Sequence, residues 1–330
     1  MATIKDVSSE SGFSIATVSR VVNNPDLVAR STRERVQRAI SNLGYVPNSA
    51  ARMLHKQTAS YGGLVSSSFG TEYHSTIAEG VEVAFQETRL LCINVGSNMT
   101  AEGELEAYRL LTNFQCKAIV LHSDRLELEI LKRLMHENPS LAVVGRCVDG
   151  FEKRCAYVDN FEVGRGAARH LLACGHRYVG QVLGHEEYSV TRVRSQGFTQ
   201  VIEDAGFGTD PLPQFSANFS QVTAAERVES FLVAQPNVTA LFCHNDQMAW
   251  GVMDYCKRAG VRIPQDLAII AVDDLKLSQF MKPRLSTIAL PLNQIGYTAG
   301  RLALAGALDN VKISGLQNLI GHKLIVRDTT

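Results

Sequence analysis

From Gly63 onward the chain alternates short apolar runs with longer amphipathic segments, and this rhythm limits the fold more than any other feature. Strands are expected at 63–66, 90–95, 118–121, 141–144, 178–183, 239–243 and 267–272. Helices are expected between them, at 75–88, 102–113, 162–174, 192–205, 222–234 and 245–259. Such alternation implies parallel sheets covered by helices on both faces, an α/β architecture. Roughly 270 residues in this rhythm fit two doubly wound lobes better than one sheet, with crossings near 158–162, 288–292 and 315–320. Composition agrees: 45% of the 330 residues are hydrophobic and 20% charged, enough for a sizeable core. The longest apolar runs, such as 267–272 and 90–93, fall far short of the ~18 residues that span a bilayer, so no transmembrane helix is expected. The amino terminus carries the charged pair Lys5-Asp6 where a secretory signal has an apolar stretch, which points to the cytoplasm.

Seven cysteines (92, 116, 147, 155, 174, 243 and 256) form no CxxC pair and are odd in number. They indicate neither a disulfide framework nor a zinc ribbon, and most are expected to be small buried residues. No P-loop, GxSxG, HExxH or GxGxxG segment occurs, so no metal, cofactor or catalytic residue is expected. The zero net charge is unevenly spread. Residues 1–60 hold eight Lys or Arg against four acids, +4, which leaves −4 for the rest. A basic head on an acidic body has two readings, a polyanion partner or a solvated charged face.

Residues 3–44 read as three short helices. Thr3 to Asp6 fits a variant capping box and Ser31 to Glu34 the standard one, so both mark helix starts. Gly12 sits at a turn, and Ser14 caps a second helix through Thr17, Val18, Ser19 and Val21 that ends at Asn23-Asn24-Pro25. Ile4, Val7, Val18, Val21, Val36, Ile40 and Leu43 supply a small shared core. Helix, glycine turn, helix and a third helix form a helix-turn-helix pattern. Gly44 to Pro47 break the third helix, and Asn48 caps a short stretch, 49–55, too brief to be stable alone. Residues 56–62 read as a linker.

In open parallel sheets ligands bind beyond the carboxyl ends of strands. The groups placed there are Ser66-Ser67-Ser68, His122-Ser123-Asp124, Arg146, Asn245-Asp246 and Asp273-Asp274. Carboxylates, amides and guanidinium groups pair with the vicinal hydroxyls of a sugar, whose C–H face an aromatic ring covers. Tyr73, Phe219 and Trp250 are the stacking candidates, with core packing as their alternative. For Asp273-Asp274 the alternative is a helix cap or turn. Glycoside hydrolysis needs two carboxyls facing each other across a bond, and sequence neighbours rarely do that.

Taken together, residues 3–7 (TIKDV), 14–23 (SIATVSRVVN), 45–48 (YVPN) and 244–249 (HNDQMA) resemble the bacterial LacI/GalR family of sugar-responsive repressors along the whole chain. Ile15-Ala16, Cys116 to Val120 and Phe151 to Cys155 are similar to its galactose-responsive branch. The resemblance implies an all-α helix-turn-helix head, a hinge helix and a core like a periplasmic sugar-binding protein. Ile15, Ala16 and Arg20 would then face base edges, and Ser14, Thr17, Ser19 and Asn23 would sit at the DNA. Asn48, Ala51 and Leu54 would form the minor-groove hinge, with Leu54 as a wedge between base pairs. The family's sugar contacts fall on Arg194, Asn245, Asp273 and Phe219, with Ser67 and Tyr73 from the opposite lobe. Arg146 stands where some relatives carry a carboxylate, which bears on effector identity.

The expected organisation is residues 1–46 as the DNA-binding head and 47–61 as hinge and linker. The core is 62–330, with an N-lobe of about 62–159 and 291–318 and a C-lobe of about 160–290 and 319–330. The expected function is a homodimeric, sequence-specific repressor released from a pseudo-palindromic operator by a small sugar, galactose above others, with no membrane partner. The alternatives are a purine or phosphorylated sugar acting as corepressor, an exported sugar receptor, or an enzyme acting on sugars.

Overall fold

The structure is a computed structural model that describes residues 2–23, 25–45, 61–207 and 211–330. The expected hinge, with Asn48, Ala51 and Leu54, lies outside the described residues. The chain divides into two compact units, 1–59 and 60–330.

The first unit holds α1 (Ile4–Ser11), α2 (Ile15–Asn23) and α3 (Arg30–Leu43), with a short 3-10 turn at Pro25–Leu27. The α1 capping box forms as expected: the Thr3 hydroxyl accepts from the Asp6 amide, and the Asp6 carboxylate accepts from the Thr3 amide at 2.7 Å. Ser14 caps α2 by accepting from the Thr17 amide at 3.2 Å. The expectation for α3 is corrected. Its cap is Ala29, with no side-chain cap bond, and Ser31 lies inside the first turn. Starting earlier lets Val28 pack on the head core and lets Arg30 Nε donate to Glu34 at 2.8 Å, one turn on. The seven expected core residues all pack together, around Val7, Val18, Val21 and Val36.

The second unit contains two sheets. The first has the order β2-β1-β3-β4-β5, with β1 (Tyr61–Ser66), β2 (Leu91–Gly96), β3 (Ala118–His122), β4 (Leu141–Val144) and β5 (Cys155–Ala156), all parallel. Its helices are α4 (Glu72–Gln86), α5 (Ala101–Asn113) and α6 (Leu128–Glu137). The second sheet has β6 (Val179–Leu183), β7 (Gln214–Ser216), β8 (Ala240–Cys243), β9 (Ala268–Asp273), β10 (Ser286–Ala289) and β11 (Lys323–Ile325). Its order is β11-β10-β9-β8-β6-β7, and only β11 is antiparallel. The accompanying helices are α7 (Asn160–Ala173), α8 (Ser189–Asp204), α9 (Gln221–Ala234) and α10 (Asp246–Ala259).

The chain passes between sheets after β5, after β10 and again before β11. Between the last two passages α11 (Leu292–Ala307) returns to pack on α4, and Tyr157 bridges Leu319. Glycines set the closest helix approaches. A Cβ on Gly80 would meet the Asn293 carbonyl oxygen at 2.0 Å, and one on Gly164 the Arg194 carbonyl oxygen at 2.0 Å. The α7–α8 pair can therefore close only because position 164 lacks a side chain, and α8 is the helix that carries Arg194.

Of the two readings open for Trp250, core packing holds: it is buried, and its indole N–H donates to Ser278 Oγ at 3.0 Å. One further expectation is corrected. Of the seven cysteines only 155, 243 and 256 are buried, whereas 147 and 174 are exposed, because they fall in connections after strand or helix ends.

Candidate functional site

In the head, α2 buries Val18 and Val21 and turns Ile15, Ala16 and Arg20 outward. The spacing explains the split, since 18 and 21 are three apart on one face while 15, 16 and 20 lie around the other. Ile15 is 44% exposed, an apolar side chain offered to solvent at the start of the helix. Ser14 is exposed, its hydroxyl 3.0 Å from that of Thr17, and Thr17 and Ser19 are half-buried. Leu27, 78% exposed, is a second outward apolar residue that the sequence reading did not single out.

In the second unit a cavity of about 280 Å³ opens between the carboxyl ends of the two sheets. The first sheet's side contributes Ser67, Tyr73, His74, His122 and Asp124. Asp124 Oδ2 accepts from Ser67 Oγ at 3.0 Å and lies 3.6 Å from His122 Nε2. Tyr73, His74 and His122 form a ring cluster with centroids 5.1 to 5.9 Å apart. Burial first, and His122 second, hold His74 down to about 3, so its imidazole is neutral and Nδ1 sits 2.6 Å from the Thr71 hydroxyl.

The second sheet's side brings Arg194, Asn245 and Asp273 together with Phe219, Tyr188 and His244. Arg194 is buried. It donates from Nη1 to the His244 carbonyl and from Nη2 to Asn160 Oδ1 at 2.6 Å, and its Nε has no partner among the described residues. Asn245 caps α10 by accepting from the Met248 amide at 2.9 Å, which leaves its amide nitrogen for the cavity. His244 is buried, and its Nδ1 is likewise unpartnered while Nε2 faces Gln181 Oε1 at 3.2 Å. Burial raises the Asp273 carboxyl well above its usual range, Asp246 adds to this, and Arg194 opposes it.

Asp246 stands behind and fixes the loop after β9. Its carboxylate accepts from Ser278 Oγ and Thr287 Oγ1, both at 2.6 Å, and from the Leu275 amide at 2.8 Å. Asp274 turns away to pair with Arg327 at 2.6 Å. The neighbours in sequence thus take separate tasks, one in the cavity and one tying down the carboxy-terminal segment that follows β11.

Backbone strain gathers here. Asn98-Met99, Asn218-Phe219 and Asp273-Asp274 are consecutive residues with positive φ, and Met99, Asn218, Phe219 and Asp273 line the cavity. Phe219 is seated against Gly184, whose missing Cβ would lie 2.0 Å from the ring.

Ser67, Tyr73, Arg194, Phe219, Asn245 and Asp273 therefore converge on one cavity. Arg146 does not. It borders a neighbouring cavity of about 700 Å³, and its Nη2 is committed to the Leu126 carbonyl at 2.6 Å and Ser123 Oγ at 3.1 Å. His74 and Tyr188 were missed, because each sits at a helix start that only the folded chain brings to the cavity.

Residues 3–48 match the model of bacterial regulatory proteins of the lacI family, and residues 168–330 that of a periplasmic binding protein-like domain. The chain is 32% identical to the HTH-type transcriptional regulator GalR of Escherichia coli (strain K12), over 99% of this chain and 95% of that one. It belongs to the LacI family. The HTH-type transcriptional repressor CytR of the same organism is 29% identical over 100% of this chain and 96% of its own. A LacI-family regulator from Silicibacter pomeroyi shares the fold with a TM-score of 0.81 at 23% identity, covering 100% of this chain and 99% of that one. As a LacI-family protein the chain is a DNA-binding, sugar-responsive transcriptional repressor that acts on operator DNA. Among the described residues no helix is long and apolar enough to cross a membrane.

Proposed function

We propose that the effector is an uncharged hexose of the galactose type and that it acts as inducer in the cytoplasm, without turnover. The convergence of Arg194, Asn245 and Asp273 opposite the Phe219 ring carries this reading. These groups offer a fork of donors, an amide and a carboxylate to vicinal hydroxyls, and the ring covers the C–H face. The cavity's charge argues for a neutral ligand. Its one guanidinium is already bonded to the His244 carbonyl and Asn160, and the Asp124 carboxylate lines the same cavity. A phosphorylated effector would meet that carboxylate with no uncommitted guanidinium, and Arg146 is turned to the neighbouring cavity. The similarity to GalR points the same way.

In this reading Ile15, Ala16 and Arg20 meet base edges in the major groove, with Arg20 bidentate to guanine, while Ser14, Thr17, Ser19 and Asn23 hold the backbone. The head is residues 1–46. The segment 47–61 is hinge and linker, with Asn48, Ala51 and Leu54 as the residues that would meet the minor groove. The N-lobe is 62–159 with 291–318, and the C-lobe 160–290 with 319–330. Sugar stabilises the lobe arrangement that separates the paired hinges and so lowers operator affinity.

The test is a fluorescence-anisotropy titration of a pseudo-palindromic operator with and without D-galactose at fixed salt, since affinity depends steeply on salt. Release of DNA by galactose is expected. Tight binding that galactose leaves unchanged overturns the effector assignment and turns the search to other sugars and to purine or phosphorylated corepressors.

A further inference from the structure

The buried carboxylate of Glu104 lies outside the sugar cavity, on α5, yet it accepts four hydrogen bonds from the loop after β3. Ser123 Oγ donates at 2.7 Å, and the amides of Asp124, Arg125 and Leu126 at 2.9, 2.9 and 3.2 Å. Three successive N–H groups folded around one anion make a nest, and they satisfy a buried charge that would otherwise be costly. Arg146 braces the same loop from the other side through Ser123 Oγ and the Leu126 carbonyl.

The loop held in this way carries two groups that face elsewhere. Asp124 looks into the cavity beside Ser67 and His122. Arg125 reaches the other lobe, where its guanidinium pairs with Glu187 and lies 5.4 Å from the ring centroid of Tyr188. Tyr188 itself lines the cavity, 6.1 Å from Phe219. Arg192 holds the receiving segment by donating to the Glu186 and Glu187 carbonyls at 3.1 and 2.8 Å. Across the cleft, Glu72 accepts from the Lys276 amide at 3.1 Å, a second tie between lobes.

We propose that Glu104 is a positioning residue for the sugar cleft: it fixes loop 123–126 so that Asp124 faces the ligand and Arg125 latches the two lobes through Glu187 and Tyr188. This rests on the reading of the cavity as the sugar site. Neither Arg125 nor Glu187 lines the cavity. The latch sets how long the closed cleft holds the sugar.

The test pairs ligand-free hydrogen exchange with stopped-flow release of D-galactose, using the full-length dimer. In Glu104→Gln the amides of 124–126 exchange about tenfold faster or more, because an acceptor for charged-type bonds is lost. In Arg125→Ala, at a half-buried side chain, and Glu187→Ala, at an exposed one, exchange around 187–188 rises and galactose leaves about two- to fivefold faster. The double variant is no faster than either single one, and the swap Arg125→Glu with Glu187→Arg restores slow release. Raising salt speeds release from the wild type but not from the single variants. If galactose fails to bind the wild type, the effector reading falls, and exchange alone decides the latch. Unchanged exchange at 124–126 in Glu104→Gln and at 187–188 in Arg125→Ala overturns the proposal whatever galactose does.

Discussion

Replacing Gly184 with alanine isolates the role of the Phe219 ring. Gly184 does not have a left-handed φ, so a methyl group is the whole perturbation. Its Cβ would stand 2.0 Å from Phe219 Cζ and 2.4 Å from both Cε atoms, where ordinary contact is 3.4–4 Å. The ring must move by about 1.5 Å, and overpacking of this kind costs about 1–3 kcal/mol. Phe219 is half-buried and lines the cavity, so the methyl drives the ring toward the cavity and much of the loss should fall on sugar binding. Taken wholly on affinity it is about five- to 140-fold. Isothermal titration with D-galactose measures it, beside the thermal midpoint of the ligand-free protein. The decisive step is the double-mutant cycle. In a Phe219→Ala background the added methyl has nothing to strike, and Gly184→Ala should then change affinity by less than about 0.5 kcal/mol. An equal penalty in both backgrounds, or none in either, refutes the seated-ring account.

Three further outcomes follow from other parts of the molecule. Arg20→Ala should weaken the specific operator by about 1–3 kcal/mol while non-specific DNA binding falls far less, read by anisotropy at one salt concentration. Thr3→Ala removes the α1 capping box and should lower head stability by about 0.5–2 kcal/mol, seen in denaturant melts of the full chain followed at the head amides. The His74 imidazole is held down to about 3 while the unfolded chain protonates near 6.5, so the unfolded state gains protons first as pH falls. Stability from this group is present above about 6.5 and is lost as pH falls toward 3; His74→Asn should flatten that part of the melting-temperature profile, and an unaltered acid limb contradicts the assignment.

Among the strands that the sequence showed, β3, β4 and β9 are buried on both faces, because continuous apolar runs are what a covered parallel sheet demands, whereas the edge strand β2 is part-exposed. The strands it hid are short: β5 has two residues and β7 and β11 three each, too few for any pattern, and β10 has four, of which two are the polar Ser286 and Thr287. Helix α11 was hidden for a different reason. It begins after Pro291 without a polar cap and buries residues on most sides, from Leu292 through Leu304, so no amphipathic stripe marks it. In the site, Asn245 and Asp273 were legible because strand ends predict where ligand groups emerge. Arg146 also follows a strand, yet its side chain braces loop 123–126, and only the fold decides between the two directions.

The three positive-φ pairs explain why this cleft can serve as a switch. Each strained residue costs of the order of 1–3 kcal/mol, so Met99, Phe219 and Asp273 keep their conformations only because the surroundings over-determine them. Phe219 is fixed by the bare Gly184, and the loop behind Asp273 by the three donors on Asp246. Groups held so firmly have little room to rearrange around a sugar. The soft coordinate that remains is the separation of the two sheets at the mouth of the cleft, where Arg125 pairs with Glu187 and the Glu72 carboxylate accepts from the Lys276 amide. In the proposed mechanism, a ligand that bonds to Asp124 on one side and Arg194 on the other therefore acts on lobe spacing more than on side-chain conformation, and lobe spacing is what that mechanism passes to the operator-binding heads.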